Sequence, residues 1–381
     1  MLLKTNFFWL YFSGVFLVAV FNRGIFEIPG INYYVYFSLF VVSPLFSFLL
    51  IGQRYTIEYI FIVAFLTFSL AKIANGVGPY IIQDSFLFFY PVFYLLGRLT
   101  PDLSRPSDVR KALKLFAQCV GIYGIFYPLR TALPISEYMI YGSYYVILYL
   151  ALFYLILLDD NRANKLWIYL IVIAILVHSS RSAYFCGIVF ITSYLVFYQK
   201  LTLKRLFYLI IISMILLSIA QALSSSDNLR SFSVIYMFDS IVSIFNPEYK
   251  IDQYAESLSG SRLHRIIMWL DLIERVRDPE NQLFGIQSGI GLVDTVFRNP
   301  HNSYLSVIGR GGLAGSALYA LFMLWTIRVL LNTSERNRLA AKAMLPTLFL
   351  LPTFSTLIDS PMTAIPFLYF IGLYSSLMKN K

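Results

Sequence analysis

The feature that most constrains this chain is the recurrence of long apolar runs. Runs of roughly 17 to 25 residues, the length a helix needs to cross about 30 Å of hydrocarbon, follow one another almost from end to end. Twelve are read at 6–21, 31–51, 56–75, 80–98, 112–128, 141–158, 163–179, 182–198, 205–222, 302–330, 340–358 and 361–378. The predicted fold is therefore an all-α polytopic membrane protein of twelve transmembrane helices, a single membrane domain over residues 1–381. With 58% hydrophobic and 13% charged residues, the chain lies far from the mix of a soluble domain. The first run follows Lys4 as a signal peptide would. No small-x-small cleavage site follows Phe21, so it reads as a retained span.

A formal net charge of +10 would suit nucleic acid were the cations clustered on one surface. They are loop charges instead, which excludes that reading. With the N-terminus inside, the inner loops carry Arg54; Arg98, Arg105, Arg110, Lys111 and Lys114; Arg162 and Lys165; Lys200, Lys204 and Arg205; Arg328, Arg336, Arg338 and Lys342; and the C-terminal Lys379 and Lys381. The outer connections hold mainly Arg23, Arg130 and Arg181. The positive-inside rule thus puts both termini in the cytoplasm. Cys119 and Cys186 fall inside apolar runs and read as buried small hydrophobes that supply no metal motif and no argument for a disulfide.

One connection is long. Residues 223–301, between the ninth and tenth spans, form an outer loop with seven Lys and Arg against ten Asp and Glu, and loops of that length are usually functional. Its middle, "SRLHRIIMWLDLIERVRDP", has apolar residues at 263, 266, 267, 270 and 273. That spacing predicts an amphipathic helix, capped by Ser261 and ended by Pro279. No internal repeat is visible. The long connection comes late rather than between two six-helix halves, a layout that favours an enzyme over a two-half transporter.

The tenth span opens on "NPHNSYLSVIGRGGLAG". Asn299 is a good N-cap and Pro300 suits the first helical position, which would place His301 in the first turn at the outer face. Free N–H groups and the helix dipole favour an anion there and keep the imidazole neutral, as a general base requires. A histidine merely hydrogen-bonding at a helix end fits these residues equally well. Arg310 lies half a turn round and about 13 Å deeper, off the face of His301 unless the helix bends, and at that depth it requires a partner or a watery cavity. The glycines around it could allow a bend, but close helix packing is the preferred explanation.

Arg181, in "HSSRSAY", lies in a short outer turn and can clamp a phosphate with two donors. It also fits a snorkelling arginine. Arg262 and Arg265 sit three apart in the amphipathic helix, where a solvated basic face is the default. His178 and His264 have no ligand spacing and read as structural. No nucleotide-binding fingerprint, zinc-protease or Ser-His-Asp pattern is present. An outward-facing donor must carry its own activation, as a membrane-held pyrophosphate ester does.

Three stretches, "SSRSAY", "GSRLHRIIMW" and "HNSYLSVIGRGGLAG", resemble in kind and order the arginine turn, the arginine-bearing periplasmic helix and the histidine-asparagine span start of the O-antigen ligase and polymerase superfamily. The resemblance covers the C-terminal part of the chain in motif and all of it in architecture. It implies a GT-C-like membrane glycosyltransferase of the bacterial inner membrane, using undecaprenyl-pyrophosphate-linked glycans at the periplasmic face with no metal and no cofactor. In that scheme His301 deprotonates the acceptor hydroxyl, while Arg181 and a loop arginine hold the pyrophosphate. Spacing to Trp269 selects Arg265, and the preceding Gly260-Ser261 pattern selects Arg262; Arg310 is a lesser candidate. Membrane lipids and a chain-length regulator are the further partners it suggests. The load of 34 Phe and 29 Tyr resembles the Wzy-type polymerases more than the ligases, which transfer the glycan to lipid A core. The alternative from another class is a lipid-linked oligosaccharide or sugar transporter, for which Lys72 and Arg310 are the candidate intramembrane charges.

Overall fold

The computed structural model describes residues 9, 11–16, 56–76, 84–85, 87–103, 105–131, 144–158, 164–177, 181–198, 272–286, 302–354 and 361–379. Among them every regular element is helical. They comprise α1 (Thr56–Asn75), a 3-10 turn at Leu87–Phe89, α2 (Pro91–Leu103), α3 (Pro106–Thr131), α4 (Tyr144–Phe153) with a π-turn at Tyr154–Leu158, and α5 (Lys165–Val177). There follow α6 (Arg181–Ser193) with a π-turn at Tyr194–Tyr198, the single turn α7 (Pro279–Gln282), α8 (Ser303–Leu331), α9 (Glu335–Phe354) and α10 (Pro361–Lys379). The expected runs at 31–51 and 205–222 lie outside the described residues, as does most of 6–21.

Two helices among the described residues are long and apolar enough to cross a membrane on their own, Ile57–Asn75 and Ser303–Leu331. Helix α1 shows how its sequence achieves this. Residues 58, 62, 65, 69 and 72 are buried at alternating steps of four and three, one continuous face of a 3.6-residue helix. The opposite face exposes Ile57, Ile60, Val63 and Leu70, each more than half accessible. Glu58, Ser69 and Lys72 thus point inward and the aliphatics outward, the reverse of a helix facing water and the arrangement that hydrocarbon favours.

The core forms where α2 and α10 meet backbone to backbone. A Cβ on Gly97 would land on the Tyr369 carbonyl, and one on Gly372 on the Tyr94 carbonyl, so only glycine permits this approach. Aromatic rings fill the space beside it. Phe116 stacks on Phe370 with centroids 4.1 Å apart, and Phe65 meets Tyr319 edge-on at 5.0 Å. The tyrosines are amphipathic ties as well as filler. Tyr319 donates to the Leu87 carbonyl at 2.6 Å, Tyr374 to Leu150 at 2.8 Å and Tyr149 to Ala183 at 2.5 Å.

Arg98, counted among the inner-loop cations, is instead buried within α2. It is ion-paired to Glu58 of α1 and lies over the Trp325 ring at 5.6 Å from the centroid. Its helix runs on past the predicted end at 98 to Leu103, because an arginine with a buried carboxylate and an aromatic face can stay inside.

Candidate functional site

Helix α8 is broken. At Gly312 the backbone takes φ 56° and ψ −152°, a conformation open essentially only to glycine. A regular helix would pair the Ala314 N–H with the Arg310 carbonyl and the Leu313 N–H with the Gly309 carbonyl. Here a segment of the connection that precedes α8 intervenes. Ala314 N–H donates to the Leu283 carbonyl at 3.0 Å, and the Gly309 carbonyl accepts from Ile286 N–H at 2.9 Å. The loop therefore supplies partners to groups that the break would strand.

The loop adopts this path for local reasons. The helix described over 272–277 stops at Asp278 and Pro279, as predicted from the proline, and α7 adds one further turn; the rest of the predicted amphipathic helix, from Ser261 on, lies outside the described residues. Gly285 then turns the chain at φ 75°. A side chain on Gly285 would strike the Arg310 carbonyl carbon at 2.5 Å, and one on Gly312 would strike Gly285 N, also at 2.5 Å. Leu272, Val276 and Ile286 pack with Leu305 in the first turns of α8. The neighbouring glycines serve a different purpose: Gly311 and Gly315 leave room for the Phe88 ring. The preference for close packing over a bend is corrected in part, since the run does both and Gly312 breaks the helix.

Three charged side chains converge on the break. Arg310 Nε lies 3.2 Å from Asp84 Oδ1, both nearly inaccessible, so Asp84 is the partner that a buried arginine requires. Lys72, wholly buried near the end of α1, donates from Nζ to the Phe284 carbonyl at 3.0 Å and the Ile286 carbonyl at 3.3 Å. Sequence reasoning singled out Arg310 and noted Lys72, but it missed Asp84 and the loop carbonyls.

The start of α8 differs from the expectation. Asn302, not Asn299, is the N-cap, with extended backbone and a side-chain oxygen accepting from Tyr304 N at 3.0 Å and Leu305 N at 3.2 Å. The helix begins at Ser303, so position 301 precedes the cap instead of sitting in the first turn. Two N–H groups that were expected to serve an anion are taken by Asn302. His301 itself, with Arg262 and Arg265, lies outside the described residues. Arg181 opens α6, and Tyr149 anchors that first turn through the Ala183 carbonyl. Of the predicted site residues, Arg310 is thus the one whose side chain is described, and it meets Asp84.

Among the described residues no three His, Cys, Asp or Glu side chains gather as a metal site would require. A small apolar cleft of about 30 Å³ opens between α2, α8, α9 and α10, lined in part by Tyr94, Phe322, Thr326 and Phe367. It lies three turns or more along α8 from Arg310, separate from the charged cluster. Comparison with protein-family models and with curated proteins finds no match to this chain.

Proposed function

We propose that this chain is a polytopic membrane glycosyltransferase that polymerises undecaprenyl-pyrophosphate-linked oligosaccharide repeat units at the periplasmic face of the bacterial inner membrane. About twelve spans hold both termini in the cytoplasm. His301 takes the proton from the acceptor hydroxyl, whose oxygen attacks the anomeric carbon of the lipid-linked chain. The bond from that carbon to the pyrophosphate oxygen breaks, and undecaprenyl pyrophosphate leaves with the bonding electrons. Arg181 and Arg265, with Arg262 as the alternate, neutralise the departing charge through paired hydrogen bonds.

One observation carries this reading: the outer loop and α8 are joined by backbone hydrogen bonds at the helix break. Residues 283–286, which follow Arg262 and Arg265 in the same connection, are thus tied to the helix that follows His301, and this supports a site drawn from both. Arg310, committed to Asp84, suits the support of that junction better than direct contact with phosphate. The same commitments weigh against transport. Lys72 and Arg310, the candidate intramembrane charges, are held by loop carbonyls and by a carboxylate, not spread along a path.

The test is reconstitution in proteoliposomes with purified lipid-linked repeat units. His301→Ala abolishes chain elongation, and so does Arg181→Ala combined with Arg265→Ala. Full elongation by either variant overturns the mechanism. Polymer formed without lipid A core selects polymerase over ligase.

A further inference from the structure

The buried ammonium of Lys72 has no role in the chemistry just described, yet it sits where the loop enters the helix break. Lysine loses more by burial than most side chains, and it stays inside only when its donors are used. Here it bonds the Phe284 and Ile286 carbonyls, on either side of Gly285. Those carbonyls belong to the short segment whose ends pair with Ala314 N–H and the Gly309 carbonyl. Irregular backbone at membrane depth persists only where every polar group finds a partner. Without the ammonium, the two carbonyls flanking buried Gly285 would lose their donor at the point where the segment substitutes for a helical turn.

We infer that Lys72 is a positioning residue: its ammonium latches loop residues 283–286 into the broken turn of α8, and this latch keeps the outer loop and the mouth of α8 in working register. The latch reaches that mouth through packing. Ile286 touches the cluster formed with Leu272, Val276 and Leu305, and Leu305 donates its N–H to the Asn302 cap. A change at Lys72 therefore passes to the helix start through two shared contacts. The ion pair of Arg310 with Asp84 holds the first half of α8, on which the segment docks, at the same broken turn.

The catalytic consequence rests on the glycosyltransferase reading; the latch itself does not, and two measurements separate them. The first is amide hydrogen exchange of the full-length protein in nanodiscs. In Lys72→Met, exchange over 283–286 and 309–314 accelerates about ten- to a hundredfold, the loss expected when charge-assisted hydrogen bonds disappear. Exchange across α2 and α10 stays as in the wild type, which shows that the bundle is folded. Gly285→Ala, which breaks the docking from the loop side, gives the same pattern. Unchanged exchange at the break in folded Lys72→Met overturns the latch. The second measurement is elongation kinetics. Lys72→Met lowers kcat on the order of a hundredfold, as a small displacement of positioned groups does. KM for the lipid-linked unit changes less than about twofold, and Lys72→Arg restores most of the rate. Accelerated exchange with wild-type kcat overturns the positioning role and leaves the latch. A wild-type protein that does not elongate overturns the glycosyltransferase reading and the positioning role with it, while exchange still decides the latch.

Discussion

Replacing Gly312 by alanine distinguishes a broken α8 from a continuous one by the sign of a stability change. In a continuous helix, alanine for glycine stabilises by about 1 kcal/mol, because it removes backbone freedom from the unfolded chain. At φ 56° and ψ −152° the same alanine enters a region that costs about 1–3 kcal/mol for any residue with a Cβ. Its methyl group would also lie 2.5 Å from Gly285 N and 2.6 Å from the Gln282 carbonyl oxygen. Both are backbone atoms and cannot rotate away. Relief requires the loop to lift, which gives up the Ala314 and Ile286 bonds at about 0.5–1.5 kcal/mol each. The expected outcome is destabilisation by about 2–6 kcal/mol, summed from strain and lost bonds. The assay is reversible unfolding of the full-length protein in mixed micelles of rising SDS content, with Gly121→Ala as the control. At Gly121 the new methyl group meets Ile171 Cγ1 at 3.3 Å, a side-chain atom able to yield, so its effect stays within about 1 kcal/mol. A Gly312→Ala protein as stable as the wild type, or more so, refutes the reasoning that the loop completes a broken turn.

Asn302→Ala removes the side chain that accepts from Tyr304 and Leu305 and lowers stability by about 1 kcal/mol, whereas Asn302→Asp preserves the cap. Equal unfolding curves for the alanine and aspartate variants would show that another residue caps α8. Glu58→Gln strips the carboxylate from buried Arg98 and costs about 3–5 kcal/mol, the penalty of leaving one charge alone. Glu58→Gln combined with Arg98→Met recovers a large part of that loss, and strict additivity in the double-mutant cycle would deny the coupling.

What the sequence made legible follows from the range of the forces involved. The apolar runs at 56–75 and 302–330 correspond to helices Thr56–Asn75 and Ser303–Leu331, because the length of a hydrophobic segment is a local property. Pro279 likewise ends the loop helix by its own missing N–H. Position 302 was harder to read. Two asparagines compete for one cap, and the choice depends on which side-chain oxygen reaches two N–H groups, a matter of geometry rather than composition. The glycine run was ambiguous in principle, since one residue type serves both close packing and a backbone break. Phe88, which occupies the space at Gly311 and Gly315, and Gly285, which meets Gly312, come from remote parts of the chain. The richness in tyrosine reads as family likeness in the sequence; in the fold Tyr149, Tyr319 and Tyr374 tie elements together through carbonyls. The cations show the limit most plainly. An ionisable side chain at membrane depth requires a partner, so Arg310 announces that one exists. For Arg310 it is the carboxylate of Asp84, a letter that could have been guessed. For Lys72 it is a pair of main-chain carbonyls, which every residue carries and which no sequence pattern can single out. A polar site built largely from backbone is therefore invisible to motif reasoning, and what betrays it is the glycines that let two backbones meet.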